Sequence, residues 1–162
     1  MPLIRPERSG DFEPVHALPL ASFGRDAQAR LVDRLRAAGK IATALVAEEN
    51  DRIFGHVVFS KIVASSEGGE VSALALAPLA VVPAFQRLGF GSALVSAGLG
   101  RCRSEQHSRV LVLGDPVYFA RYGLKCPFPE GGNAFMAIEL EPGAFAGVSG
   151  MVRYGHEFDD LE

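Results

Sequence analysis

The stretch that most constrains this chain of 162 residues runs from Val81 to Ser92, where an apolar strand gives way to a helix through a loop holding one proline and two glycines. Upstream, Val71 to Val81 alternates larger apolar residues with Ala, which predicts a long strand that Pro83 ends because proline has no N–H to donate. Downstream, Leu94, Val95, Gly98, Leu99 and Cys102 share one face of a helix predicted from Gly91 to about Arg103. Glycines at 89 and 91 let a ligand approach the backbone without Cβ collisions. The helix that starts there offers N–H groups with no partner inside the helix and a partial positive charge. Such a loop suits a pyrophosphate. Arg87 adds a fixed charge, and the Ser92 hydroxyl either binds phosphate or caps the helix. A glycine-rich turn with no ligand is the plainer alternative. A dinucleotide fold would want a third Gly near Leu94, and a phosphate-binding P-loop would want Gly-Lys before Ser or Thr; the loop has neither.

Around this centre the chain reads as alternating elements. Leu3 to Pro6 is a first strand, and Ser9 or Asp11 can cap a helix start just beyond it. Val15, Leu18, Ala21 and Phe23 have helical spacing, and a second helix runs from Asp26 to Ala38, with Gly39 ending it. Ala42 to Ala47 and Ile53 to Val63 are β-rich and flank a polar turn at Glu48 to Asp51, so they pair as a hairpin. Gly68 and Gly69 turn the chain into the Val71 strand. Val110 to Leu113 is apolar throughout, as a strand buried on both faces would be, and Pro116 opens a short helix that stops at Gly123. Phe135 to Leu140 is a late strand; 141–162 gives no firm pattern and is expected to be an irregular tail.

Length fits one domain without repeat or linker. Apolar residues are 48% and charged residues 22%, so the chain is expected to be globular rather than disordered. With neither a signal-peptide-like stretch nor a run of membrane-spanning length, it is expected in the cytoplasm. A net charge of −3 argues against broad nucleic-acid binding. Cys102 and Cys126 have no metal-ligand spacing and are expected to be reduced thiols, so no metal site is expected.

Gln86-x-x-Gly89-x-Gly91, after a strand ending Leu79-Ala80-Val81, resembles the acetyl-CoA motif of GNAT acetyltransferases. The order of elements is similar to the whole GNAT domain. Leu76-Ala-Pro-Leu-Ala-Val, Val112-Leu-Gly-Asp-Pro and the segment from Ala134 to Gly143 resemble the YhbS-like subgroup of N-acetyltransferases. The resemblance implies a mixed α/β fold with a mostly antiparallel sheet, splayed by a bulge in the motif strand and flanked by helices. It implies acetyl-CoA as acyl donor, with Leu79, Ala80 and Val81 beside the pantetheine arm and Gln86, Arg87, Leu88, Gly89, Phe90, Gly91 and Ser92 around the pyrophosphate. Asp115 and Phe119 complete the implied cofactor contacts, an amine is the implied acceptor, and a homodimer is compatible with it.

The implied chemistry is direct attack of a neutral amine on the thioester, with a backbone donor such as the Val81 N–H stabilising the oxyanion. Many GNAT enzymes carry a proton-donating tyrosine four residues before the glycine that ends the short helix; here that position is Phe119. Tyr118 is adjacent but about 100° away around a helix, and so is a candidate acid only if that helix is distorted or begins differently. The interior of the motif strand carries no Glu, Asp or His. His56 and Asp115 are the remaining base candidates, directly or through water, each with a structural hydrogen bond as its alternative. Without proton-transfer groups, the same fold would serve as a non-catalytic acyl-CoA-binding module.

Overall fold

The computed structural model describes residues 2–23, 26–113, 135–144, 146, 148–153 and 156–158. Seven strands and three α-helices are seen among them: β1 (Leu3–Pro6), α1 (Phe12–Phe23), α2 (Ala27–Ala37), β2 (Ile41–Glu49), β3 (Arg52–Ser66), β4 (Gly69–Val81), α3 (Phe90–Ser104), β5 (Arg109–Leu113), β6 (Phe135–Glu139) and β7 (Val148–Arg153). The strands form one sheet in the order β1-β2-β3-β4-β5-β6, with β7 joining β3. All pairings are antiparallel except β4 with β5.

The β2–β3 turn is tighter than its acidic sequence suggested. Glu48 and Glu49 remain in the strand, opposite Ile53 and Arg52. Only Asn50 and Asp51 turn, at φ 52° and 62°, the left-handed pair that matches the twist of a two-residue hairpin. Glu48 then has a use in the ladder's margin, since Arg5 of β1 donates to it from Nε at 2.9 Å and to both oxygens of Asp11 at 2.7 and 2.9 Å. Asp11 also accepts the Arg8 N–H at 2.7 Å, so its carboxylate faces back toward β1. With that bond Asp11 closes a capping box at the start of the 3-10 turn Ser9–Asp11, as expected of a helix start, whereas Ser9 lies inside the turn rather than at its cap.

The sheet has an apolar layer on each face. On one, Leu94, Val95 and Cys102 of α3 meet Leu45, Val57, Phe59, Leu74, Leu76, Val110 and Val112. On the other, Leu31, Val32 and Leu35 of α2 meet Val58, Ile62, Ala73, Ala75, Ala77 and Leu111, while α1 lies against α2, β3 and β4. β5 is covered on both faces, as its unbroken apolar run requires. Close approach of α3 depends on Gly98, where a Cβ would come within 2.2 Å of the Phe59 ring.

Among the described residues of 141–162 the chain is not an irregular tail. β3 outruns β2, whose pairing stops at Ser60, and β7 pairs with the stretch from Val63 to Ser66 that β2 leaves unpaired. Beyond it a single 3-10 turn, His156–Phe158, buries Phe158 in the α2 layer, and Glu157 accepts from Lys40 Nζ at 2.8 Å. An unsatisfied strand edge and an anchoring aromatic decide the fate of this segment, and neither is visible in its local composition.

Candidate functional site

The site begins where β4 leaves its neighbour. β4 pairs with β5 only from Leu74 to Leu76. Immediately afterwards Ala77 and Pro78 form a bulge: Phe59 faces Leu76, but Val57, two residues back, faces Leu79, three residues on. Proline cannot contribute to the ladder, and the extra residue absorbs the interruption. The Ala77–Pro78 peptide is cis. Among the described residues, no strand pairs with the β5 side of β4 beyond Leu76.

Past the bulge, the direction of each backbone group follows from one hydrogen bond. The Val82 N–H donates to the Phe54 carbonyl at 2.9 Å. In an antiparallel ladder successive residues face opposite sides, so Ala80 turns its N–H and carbonyl to β3 and is paired with His56. Leu79 and Val81 turn theirs to the open edge. Of the three residues expected along this edge, two therefore present backbone groups to it, while Ala80 contributes a small side chain on the α2 face.

The loop that follows is held from within. Pro83–Phe85 form a 3-10 turn closed by the Phe85 N–H on the Val82 carbonyl at 2.9 Å. Gln86 Nε2 reaches back to the Val81 carbonyl at 2.7 Å, which ties the loop to the end of the motif strand. Phe54 stacks on Phe85 with ring centroids 4.1 Å apart and meets the edge of Phe90 at 4.7 Å. This trio joins β3, the 3-10 turn and the first residue of α3. Sequence reasoning missed it, because its members are distant in the chain and only the fold assembles them.

Two residues of the loop adopt left-handed conformations, Arg87 at φ 65° and Gly89 at φ 91°. Gly89 is the N-cap of α3, has no side chain to offer as a cap, and has open space where a Cβ would stand. Ser92 is the third residue of the helix, not its cap. The first intrahelical bond runs from the Ala93 N–H to the Gly89 carbonyl at 3.0 Å, so Phe90 and Gly91 precede the first residue whose N–H has an acceptor within the helix. Arg87 and Leu88 are exposed, Leu88 to 65%. Positive helix end, unfilled volume over a glycine and an exposed guanidinium coincide here, and these residues fit an anionic phosphate group.

Tyr118, Phe119, Asp115 and Cys126 lie outside the described residues. Cys102 is a free, fully buried thiol of α3; burial, with the nearby Glu105 charge, pushes it up to about 11, which removes it from nucleophilic chemistry. His56 is buried in the α2 face of β3 with Nε2 2.8 Å from Glu7 Oε2, an ion-pair contact rather than a well-aligned hydrogen bond. Arg36 of α2 grips the same carboxylate at 2.7 and 3.2 Å. Burial alone would raise the Glu7 carboxyl, but His56 and Arg36 outweigh it and hold it below its ordinary value.

Comparison with known proteins gives a consistent picture. The family described as "Acetyltransferase (GNAT) family" matches residues 11–118. The Uncharacterized N-acetyltransferase YhbS of Escherichia coli strain K12 is 33% identical over 166 residues, covering 97% of this chain and 98% of that protein. The crystal structure of YhbS from Escherichia coli in complex with CoA superposes with a TM-score of 0.88 at 32% identity, covering 99% of this chain and 93% of that one. A GNAT family acetyltransferase from Brucella melitensis, in complex with acetyl-CoA, gives 0.84 at 30% identity, covering 98% and 99%. No helix among the described residues is long and apolar enough to cross a membrane.

Proposed function

Because this chain belongs to the GNAT family of acetyltransferases, we propose that it moves an acetyl group from acetyl-CoA to a primary amine of a small molecule or peptide by direct attack. One observation carries the reading: the open edge of β4 at Leu79 and Val81 leads, through a loop braced by Gln86 and three phenylalanines, into the uncapped N-terminus of α3. An extended donor with an anionic end and a thioester end matches that sequence of features.

In this reading the first-turn N–H groups of α3, with Gly89 and Arg87, hold the pyrophosphate, and Leu88 and Ser92 flank it. The backbone of Leu79 and Val81 lines the pantetheine arm, and the Val81 N–H steadies the negative charge that develops on the carbonyl oxygen. Ala80 and Phe90 shape the walls, and Gln86 keeps the Val81 segment in place. Asp115 and Phe119 complete the donor site, with Tyr118 as proton donor to the departing sulfur. Thiolate departure makes a modest demand on that donor, since a thiol's ordinary pKa is about 8.5. The protein acts as a single domain in the cytoplasm.

The measurement is the thermal midpoint with and without acetyl-CoA, followed by an amine screen read as free thiol. Ligand at about 100 times its dissociation constant adds about 2.7 kcal/mol of apparent stability, a rise of several degrees in a domain of this size. No shift in a folded sample would sink the donor site. A second reading, a non-catalytic acyl-CoA-binding module, is favoured by Phe119 in place of tyrosine and by the absence of Glu, Asp and His from Val71 to Val81. It predicts the thermal shift without thiol release.

A further inference from the structure

The motif strand offers no proton acceptor, yet a buried histidine stands directly beside it. His56 pairs with Ala80, the residue between the two whose N–H groups turn to the open edge, and adjacent strands are about 4.8 Å apart. On the α2 face the neighbour of His56 across β4 is thus only a methyl group. His56 is 2% exposed and the Glu7 side chain 5%. Polar groups so deeply buried are costly to keep compared with apolar residues of the same volume. Here it is retained one residue from the strand's reacting edge.

Resting on the acetyltransferase reading above, we propose that His56, oriented by Glu7 and Arg36, takes the proton of the attacking amine through water. The Glu7 carboxylate is acceptor-only, and it faces Nε2. In this proposal neutral His56 is assigned its hydrogen on Nε2, the nitrogen that faces Glu7, which makes Nδ1 the basic nitrogen. In the balanced step the amine nitrogen bonds to the acetyl carbonyl carbon, one N–H proton passes through water to Nδ1, and the C–S bond breaks with its electron pair on sulfur. The sulfur takes the proton donated by Tyr118, the amide and the coenzyme thiol leave, and His56 returns its proton to solvent. Glu7 and Arg36 are positioning residues. Among the described residues, the ionisable groups facing the imidazole are Glu7, from the segment after β1, and Arg36, from α2; at its own level β2 and β4 present Val46 and Ala80. On α1, Glu13 is exposed and His16 is turned outward to Asp33.

The test measures acetyl transfer from acetyl-CoA to spermidine and to a lysine-containing peptide in the wild type, His56→Gln and Glu7→Gln. The acetyl-CoA thermal shift of each variant certifies its fold and donor site. In the wild type, protonation of the amine and of His56 both suppress kcat/KM, so its logarithm rises with a slope of two at acid pH. His56→Gln should reduce kcat roughly 100-fold or more and leave a slope of one, and Glu7→Gln should lower kcat with KM for acetyl-CoA unchanged. A wild-type slope of one, or a His56→Gln enzyme with undiminished kcat, overturns the role of His56 while leaving the acetyltransferase reading intact. Thermal shifts with neither amine acetylated by the wild type overturn both.

Discussion

At the scale of single residues, the donor site concentrates on two left-handed positions. Gly89→Val places a branched side chain at φ 91° and in the open volume over the helix end, where the proposed pyrophosphate would lie. It should abolish measurable acetyl-CoA binding by calorimetry in a protein that still folds. Arg87→Ala removes one charge-assisted contact and should weaken binding by about 1.5–3 kcal/mol, or roughly 10- to 150-fold. Unchanged affinity in both variants would place the phosphates elsewhere. The loop was legible in the sequence because glycines, a proline and a helix start are local signals. Gln86 was legible as a member of the motif but not in its task, since a side-chain amide reaching back to the Val81 carbonyl depends on a turn that no spacing rule specifies.

Among elements, α3 carries, beyond Gly91 in its first turn, two glycines with opposite roles. Gly100 is exposed and has nothing within 4 Å of where a Cβ would stand, whereas a Cβ at Gly98 would overlap the Phe59 ring, itself fully buried. Replacing Gly100 with Ala should add about 0.5–1 kcal/mol through helix propensity, a rise of roughly 1–4 °C in thermal midpoint. The same change at Gly98 gains that propensity but overpacks the core, at a cost of about 1–3 kcal/mol, and should lower the midpoint. Equal shifts of the same sign would mean that α3 does not sit this close to the sheet. Helix and strand positions were readable from periodicity to within a few residues, as with α2 and β2. β7 escaped because Val148–Arg153 becomes a strand only when β3 leaves an edge for it, and the aromatic brace and the His56–Glu7–Arg36 cluster escaped for the same reason.

For the whole molecule, the first strand is held by charge as much as by its ladder. Asp11 is lowered from 3.8 to about 2, first by its bond from Arg5 and against the opposing effect of burial, and Glu7 is also lowered. A carboxyl with a depressed folded-state value stabilises the fold fully above its unfolded value and loses that contribution as pH falls through the folded one. Stability should therefore decline from about pH 4 toward about pH 2, and Arg5→Gln should flatten that decline in urea titrations taken across the range. A variant with an unchanged slope would show that Arg5 is not what holds Asp11 ionised. One consequence of the bulge concerns length rather than chemistry. Leu74 and Leu76 occupy even positions and Leu79 and Val81 odd ones, yet all four face α3. The strand thus changes reading frame at Ala77–Pro78, and the far segment is in frame only because of the added residue. Side chains there can be exchanged singly, but a deletion of one residue would put the two halves of β4 out of phase, turning either the core or the proposed donor edge inside out.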